Sequence, residues 1–182
     1  MFENNPYTLS GFTCYNLHMK EQLSGILNNS RGEWYVIIQF IFFGLILLGP
    51  RSLPGSEGWP TPWNTIGILL GLLFGFLGGL LGLAGLMSLG SNITAVPHPK
   101  DDAFLVQNGA YQFVRHPIYS GIILTSIGFA FVVNGTLTFL YVLILFIFFD
   151  IKSRREEQWL AEKFPDYPNY QKRVHKLIPF IY

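Results

Sequence analysis

The segment Gly109-Ala110-Tyr111-Gln112-Phe113-Val114-Arg115-His116-Pro117-Ile118-Tyr119-Ser120-Gly121 brings an arginine, a histidine and two tyrosines to the edge of an apolar run. Charged and aromatic polar groups at such an edge are costly unless paired, which makes them functional candidates. About one helix further on, Glu156 and Glu157 stand at the end of another apolar run. The two clusters together would suit a small zwitterion. Its carboxylate wants forked donors, from Arg115 or His116, and its ammonium wants Glu156 or Glu157. Tyr111 and Tyr119 are suited to stacking on a flat ring or facing a cation. Each cluster also has a plainer reading. Arg115-His116-Pro117 could be an interfacial anchor with a helix-starting proline, and Glu156-Glu157 beside Arg154-Arg155 a solvated charge run. Arg115 and Glu156 are the candidates for a catalytic role.

The elements that must position these residues are apolar. Half of the 182 residues are hydrophobic and only 13% are charged, a composition of the membrane class. The formal net charge of +1 offers no case for a nucleic-acid partner. The single Cys14 gives neither an internal disulfide nor a thiolate cluster. His98 and His175 read as surface residues, and no metal-ligand spacing links them to His116, so no metal is expected. Residues 1–33 form a polar tail without the apolar core of a signal peptide, and Glu21 to Leu27 hints at a short interfacial helix. Met19 reads as an alternative start, with residues 1–18 an extension without a role in the fold.

Residues 34–182 are expected to form one all-α integral membrane domain. Four spans are predicted, at about 34–48, 63–90, 117–133 and 136–149, divided by a proline- and glycine-rich connector, a long polar loop and the Asn134-Gly135 turn. The second span repeats Gly67, Gly71, Gly75 and Gly79, with Gly78 and Gly82 in parallel, a pattern that predicts close helix packing through small residues. At about 1.5 Å per residue, its 28 residues would reach about 42 Å and must tilt or protrude. Within the loop, Gln107-Asn108-Gly109 between two apolar-aromatic runs predicts a small hairpin. Beyond Asp150 the last span continues as an amphipathic cytoplasmic helix, broken by Pro165 and Pro168. Tyr167 and Tyr170 read as interfacial aromatics. The final segment, Arg173 to Ile181, alternates too weakly to assign. With four spans, eleven of the twelve lysines and arginines fall on one side and only Arg51 on the other. That asymmetry places both termini, the central loop and the site in the cytoplasm.

Order and spacing then add a resemblance. Leu89-Gly90, Thr94, Pro97, Pro99, and Leu105-Val106-x-x-Gly109-x-Tyr111-x-x-Val114-Arg115-His116-Pro117-Ile118-Tyr119-x-Gly121 resemble the integral-membrane isoprenylcysteine carboxyl and phospholipid methyltransferases. So do Glu156-Glu157-x-x-Leu160-x-x-x-Phe164, Tyr167, Tyr170, Arg173-Val174 and Ile178-Pro179. The resemblance covers roughly residues 85 to 181. It implies S-adenosylmethionine as methyl donor, bound by Tyr111, His116 and Tyr119, with Glu156 or Glu157 holding its amino group. Val106, Gly109, Arg115, Pro117 and Gly121 belong to the same implied donor site. The implied acceptor is lipophilic, a lipidated carboxylate or a phospholipid amine, met from the membrane. In the isoprenylcysteine enzymes an arginine about one turn before the glutamates serves the acceptor carboxylate, and here that region reads Asp150-Ile151-Lys152-Ser153-Arg154-Arg155. Membrane sterol and steroid reductases, which use NADPH, share Arg-His-Pro-x-Tyr-x-Gly and the Tyr-Pro…Ile-Pro-Phe ending. A non-catalytic membrane scaffold is the third alternative. The paired glutamates favour the methyltransferases.

Overall fold

A computed structural model describes residues 31–55, 58–94 and 96–182. Cys14, Met19, the segment from Glu21 to Leu27 and most of the polar tail lie outside the described residues. Five α-helices follow in order: α1 (Glu33–Leu48), α2 (Trp63–Leu89), α3 (Pro117–Val132), α4 (Thr136–Lys163) and α5 (Tyr167–Arg173). The described residues contain no β-strand, so the fold is all-α. Two stretches, Trp63–Asn92 and Thr136–Lys163, are long and apolar enough to cross a membrane. The 16-residue helices α1 and α3 are apolar but shorter, about 24 Å each. Large apolar side chains such as Phe40, Leu69, Leu72, Phe76 and Leu83 stand exposed on the outer faces, where a water-soluble monomer would not keep them.

Glycine sets the α2–α3 contact. Gly71, Gly78 and Gly85 of α2 lie against Gly128, Gly121 and Pro117 of α3, so the helices run antiparallel with their backbones touching. A Cβ on Gly128 would sit 2.6 Å from Gly71 O, and one on Gly121 would sit 2.6 Å from Gly82 N. The buried set is Gly67, Gly71, Gly78 and Gly85, whereas a Cβ on Gly75 or Gly79 would meet nothing within 4 Å. A four-residue repeat gains about 40° per step on a helix of 3.6 residues per turn, so the series drifts off the interface after two members. A seven-residue spacing then resumes it.

The α3–α4 hairpin turns at Asn134 and Gly135, as the sequence predicts, with an unexpected division of labour. Asn134 takes the left-handed conformation at φ 51°, while Gly135 stays at φ −93°. The Asn134 side chain donates to Asn64 Oδ1 at 2.8 Å and ties the turn to the start of α2. Phe148 on α4 packs against Tyr35 and Phe42 of α1, with ring centroids 6.1 and 5.4 Å apart.

One sequence expectation changes, and the unassigned ending gains a place. The Asn108-Gly109 hairpin does not form. Gly109 does adopt φ 59°, but it opens a 3₁₀ turn, Gly109–Gln112, whose Ala110 N–H donates to Ser88 Oγ at 3.3 Å. Val114 then pairs with His175 instead of a neighbouring strand. The amphipathic segment after Asp150 continues the last span, as the sequence predicts, and forms the second half of the 28-residue α4. The unassigned ending folds back along the start of α3: Arg115 N–H donates to His175 O at 2.8 Å and His116 N–H to Lys176 O at 3.1 Å. Ser120 Oγ donates to Leu177 O at 2.6 Å, while Lys176 Nζ and the Tyr182 hydroxyl donate to Asp150 of α4.

Replacing Gly128 with leucine should therefore cost roughly 1–3 kcal/mol or more of stability, whereas Gly75→Leu on the open face should be tolerated. Thermal unfolding of both variants in detergent measures the difference, and equal melts would contradict the packing described.

Candidate functional site

Proline decides how the site begins. Pro117 occupies the first turn of α3, where its missing N–H costs nothing, and it holds His116 outside the helix at φ −123°. The Arg115 and His116 side chains turn toward α4. There the adjacent glutamates point about 100° apart, as successive helical residues must. Glu157 faces Arg115 and His116. Glu156 shares a face with Phe149, Lys152 and Leu160.

Glu157 is enclosed by donors. Arg115 Nε donates to its Oε1 at 2.7 Å, His116 Nε2 lies 3.0 Å from the same oxygen, and Gln171 Nε2 donates to Oε2 at 3.0 Å. Arg115 is equally committed, since Nη1 donates to the carbonyls of Gln171, at 3.1 Å, and Val174. With side-chain exposures of 12% and 10%, this is a nearly buried ion pair that fastens α5 and the ending segment to α3 and α4.

Glu156 is placed differently. Its Oε2 accepts the Tyr119 hydroxyl at 2.8 Å and stands 3.8 Å from His116 Nδ1. The imidazole of His116, the phenol ring of Tyr119 and the ring of Phe149 form a continuous stack, with centroid spacings of 5.3 and 4.6 Å and planes within 7°. Buried Lys152 closes the far side. Its ammonium donates to Gln39 Oε1 of α1 at 2.6 Å and lies 5.0 Å from the Tyr119 ring centroid, with no carboxylate in ion-pair contact among the described residues.

Gln39, Arg115, His116, Tyr119, Lys152 and Glu156 line a cavity of about 280 Å³ between α1, α2, the central loop, α3, α4 and α5, with Phe149 stacked behind Tyr119. Of the residues singled out from the sequence, Val106, Tyr111, Arg115, His116, Tyr119 and Glu156 line it. Glu157, Gly109, Pro117 and Gly121 do not: Glu157 is held behind the wall, and the other three serve backbone geometry and helix packing. Lining residues to which the sequence reading gave no site role include Gln39 and, as a correction to their interfacial reading, Tyr167 and Tyr170. Those two tyrosines are only 1% and 3% exposed. Tyr170 donates to Tyr111 O at 2.6 Å. Burial pushes the hydroxyls of Tyr111, Tyr167 and Tyr170 well above the ordinary tyrosine range. Glu156 adds to this at Tyr111 and Glu157 at Tyr167, while Arg115 opposes it at Tyr170. All three therefore stay neutral donors at physiological pH. No cluster of three or more metal-ligating side chains occurs among the described residues.

A second space, of about 440 Å³ and almost wholly apolar, opens between α1, α2 and α3, lined by Phe43, Ile46, Gly78, Gly82, Gly121 and Phe129 among others. Ile122 borders both.

The family model for isoprenylcysteine carboxyl methyltransferases matches residues 69–162, more than half of the chain, from the second turn of α2 to the last turn of α4. The chain belongs to that family. Relatives of the family include the protein-S-isoprenylcysteine O-methyltransferase of Schizosaccharomyces pombe, 38% identical over 93 residues, which are 50% of this chain and 39% of that protein. The corresponding protein of Saccharomyces cerevisiae is 34% identical over 45% of this chain and 35% of its own length. A structure titled as the eukaryotic intramembrane Ras methyltransferase ICMT superposes with a TM-score of 0.57 at 25% identity, over 84% of this chain and 53% of the other. The chain thus spans less than half the length of these curated relatives. Both Arg115-His116-Pro117 and the glutamate pair fall inside the family match.

Because Arg115 engages one carboxylate and two carbonyls at once, an ammonium cannot replace it. Arg115→Lys should lower stability by about 3 kcal/mol, the scale for breaking a buried pair. Thermal unfolding checks this, and an unchanged melt would show the pair to be dispensable.

Proposed function

We propose that this chain is an integral membrane methyltransferase that uses S-adenosylmethionine and acts on a lipophilic carboxylate of the isoprenylcysteine kind. The observation that carries the reading is the split between the glutamates. Glu157 is neutralised inside the protein, and Glu156 is presented to a cavity with an aromatic stack beside it and a buried ammonium opposite. Such a donor set fits the methyl donor, whose ammonium, carboxylate and flat base need a carboxylate, polar donors and aromatic walls. When bound, S-adenosylmethionine supplies an electrophilic sulfonium methyl. Glu156 accepts from the donor's ammonium, with the Tyr119 hydroxyl fixing its orientation. Arg115 is a positioning residue, because its donors hold Glu157 and the backbone of α5. The stacked rings of His116 and Tyr119 and the apolar walls exclude water, which a displacement at carbon requires more than acid–base assistance.

Lys152 is the cation available for the acceptor. A carboxylate acceptor is already ionised at neutral pH and needs no base. A cationic amine acceptor would meet repulsion from the Lys152 ammonium, which favours the carboxylate over the phospholipid amine. The apolar space beyond Ile122 is the place for the acceptor's hydrocarbon chain, reached sideways from the bilayer between α1 and α3. In this reading α1 to α4 are four spans, and the cavity and both termini face the cytoplasm, where the basic residues concentrate. Family membership favours methyl transfer over NADPH-dependent reduction, and saturable NADPH binding without binding of S-adenosylmethionine would reverse that preference.

Membranes carrying the protein, given radiolabelled S-adenosylmethionine and N-acetyl-farnesylcysteine, should form a labelled methyl ester that alkali releases as methanol. Label that resists alkali, or that enters phosphatidylethanolamine instead, would overturn the acceptor assignment. Glu156→Gln should weaken calorimetric donor affinity by about 10- to 100-fold, the loss of a charge-assisted hydrogen bond. Lys152→Gln should raise the acceptor KM by a similar factor of about 10- to 100-fold with donor affinity unchanged.

A further inference from the structure

After Glu33 and the aromatic pair Trp34-Tyr35, Gln39 is the one polar side chain of α1. A primary amide in an otherwise apolar helix is costly unless its hydrogen-bonding groups are used. A tie between helices accounts for half of it: Oε1 accepts from the ammonium of buried Lys152 on α4 at 2.6 Å. An ammonium only donates, so the atom toward Lys152 has to be the oxygen, and the other end of the amide is Nε2 with its two N–H groups. Nε2 has no hydrogen-bond partner among the described residues, and it is not occluded as the unpartnered oxygens of Asn134 and Tyr167 are. The face that carries it looks onto the cavity: Val36, Gln39 and Phe40, three and four residues apart, are the residues of α1 that line it. Along the same face Phe43, Ile46 and Leu47 line the apolar space, beginning about 6 Å from Gln39. Gln39 precedes the residues matched by the family model, which therefore assigns it nothing.

We infer that Gln39 helps to select the methyl acceptor, its Nε2 donating to one oxygen of the acceptor's carboxylate while the Lys152 ammonium holds the other. This deepens the acceptor reading proposed above and rests on it. A lone ammonium is a compact charge without a preferred plane, whereas a carboxylate offers two oxygens in one plane. The amide, locked to the ammonium through Oε1, adds the second donor that fixes that plane. The donor's own carboxylate offers the same chemistry. What assigns the amide to the acceptor is its continuity, along one face of α1, with the space for the acceptor's hydrocarbon chain: the chain lies along Phe43, Ile46 and Leu47, and the head group ends at Gln39.

The test is Gln39→Leu in the purified full-length chain, with N-acetyl-farnesylcysteine as acceptor. Its acceptor KM should rise about tenfold, the scale of one lost hydrogen bond, while calorimetric affinity for S-adenosylhomocysteine stays at the native value. Because Gln39 also holds Lys152, a second pair separates contact from positioning. With the lysine already removed in Lys152→Met, adding Gln39→Leu should still raise the acceptor KM by about tenfold, as independent contacts add. No further rise would show that Gln39 acts only through Lys152 and overturn the inference. An unchanged acceptor KM in Gln39→Leu would overturn it too, while leaving the acceptor reading standing. Weakened S-adenosylhomocysteine binding with the acceptor KM unchanged would give the amide to the donor's carboxylate instead, and a lowered melt with both functions impaired would make it a structural tie; either result overturns the inference. A native protein that binds S-adenosylhomocysteine but does not methylate N-acetyl-farnesylcysteine would sink the acceptor reading and the role of Gln39 together.

Discussion

One guanidinium holds the site together. Arg115 cannot shed its charge, and in a nearly buried place it persists only if every direction it donates in meets an acceptor. The fold provides these from three places: the carboxylate of Glu157 on α4 and the carbonyls of Gln171 and Val174 at the end of α5. Because the ion pair would be costly half-made, α5 and the ending segment are not optional trimmings. They are what makes the Arg115–Glu157 contact affordable, and that contact in turn fixes where Glu156 points.

The helix bundle solves a different problem with the opposite chemistry. Apolar helices in a lipid environment gain nothing from hiding their side chains from water, so α2 and α3 approach through positions that have none. Gly121 serves two purposes there. It lets the α2 backbone come close, and it opens the apolar space where a hydrocarbon chain would lie. Packing and clearance therefore coexist along one row of residues, where the sequence pattern offers them as alternatives.

Much of the frame was legible in the residues themselves. Long apolar runs bounded by Gly49-Pro50, Pro117 and Asn134-Gly135 place the helix ends within one or two residues, because backbone chemistry at those points leaves little choice. The meeting of Arg115 and His116 with the glutamates was legible as well, since unlike charges at span ends on one side must find each other. What stayed hidden depends on tertiary geometry. A lone lysine in a charged segment such as Lys152 gives no sign that it will be buried against Gln39, 113 residues away in sequence. Tyr167 and Tyr170 carry the same amphipathic composition whether they sit in an interface or under a C-terminal fold-back. The Asn108-Gly109 pair misled for a related reason: its local preference was honoured at Gly109, but the strand partner came from His175 instead.

The continuous course of α4 has an evolutionary corollary. Its apolar half can drift freely among leucine, isoleucine, valine and phenylalanine, but it cannot change length. One residue inserted or deleted between the Asn134 turn and the glutamates would rotate everything beyond it by a quarter turn or more, so that an insertion puts Arg155, and a deletion Gln158, where one of the two carboxylates stood. Selection on this helix should therefore tolerate substitutions while purging indels, and a homologue with an altered turn-to-glutamate distance would need to have rebuilt the chemistry at the helix end.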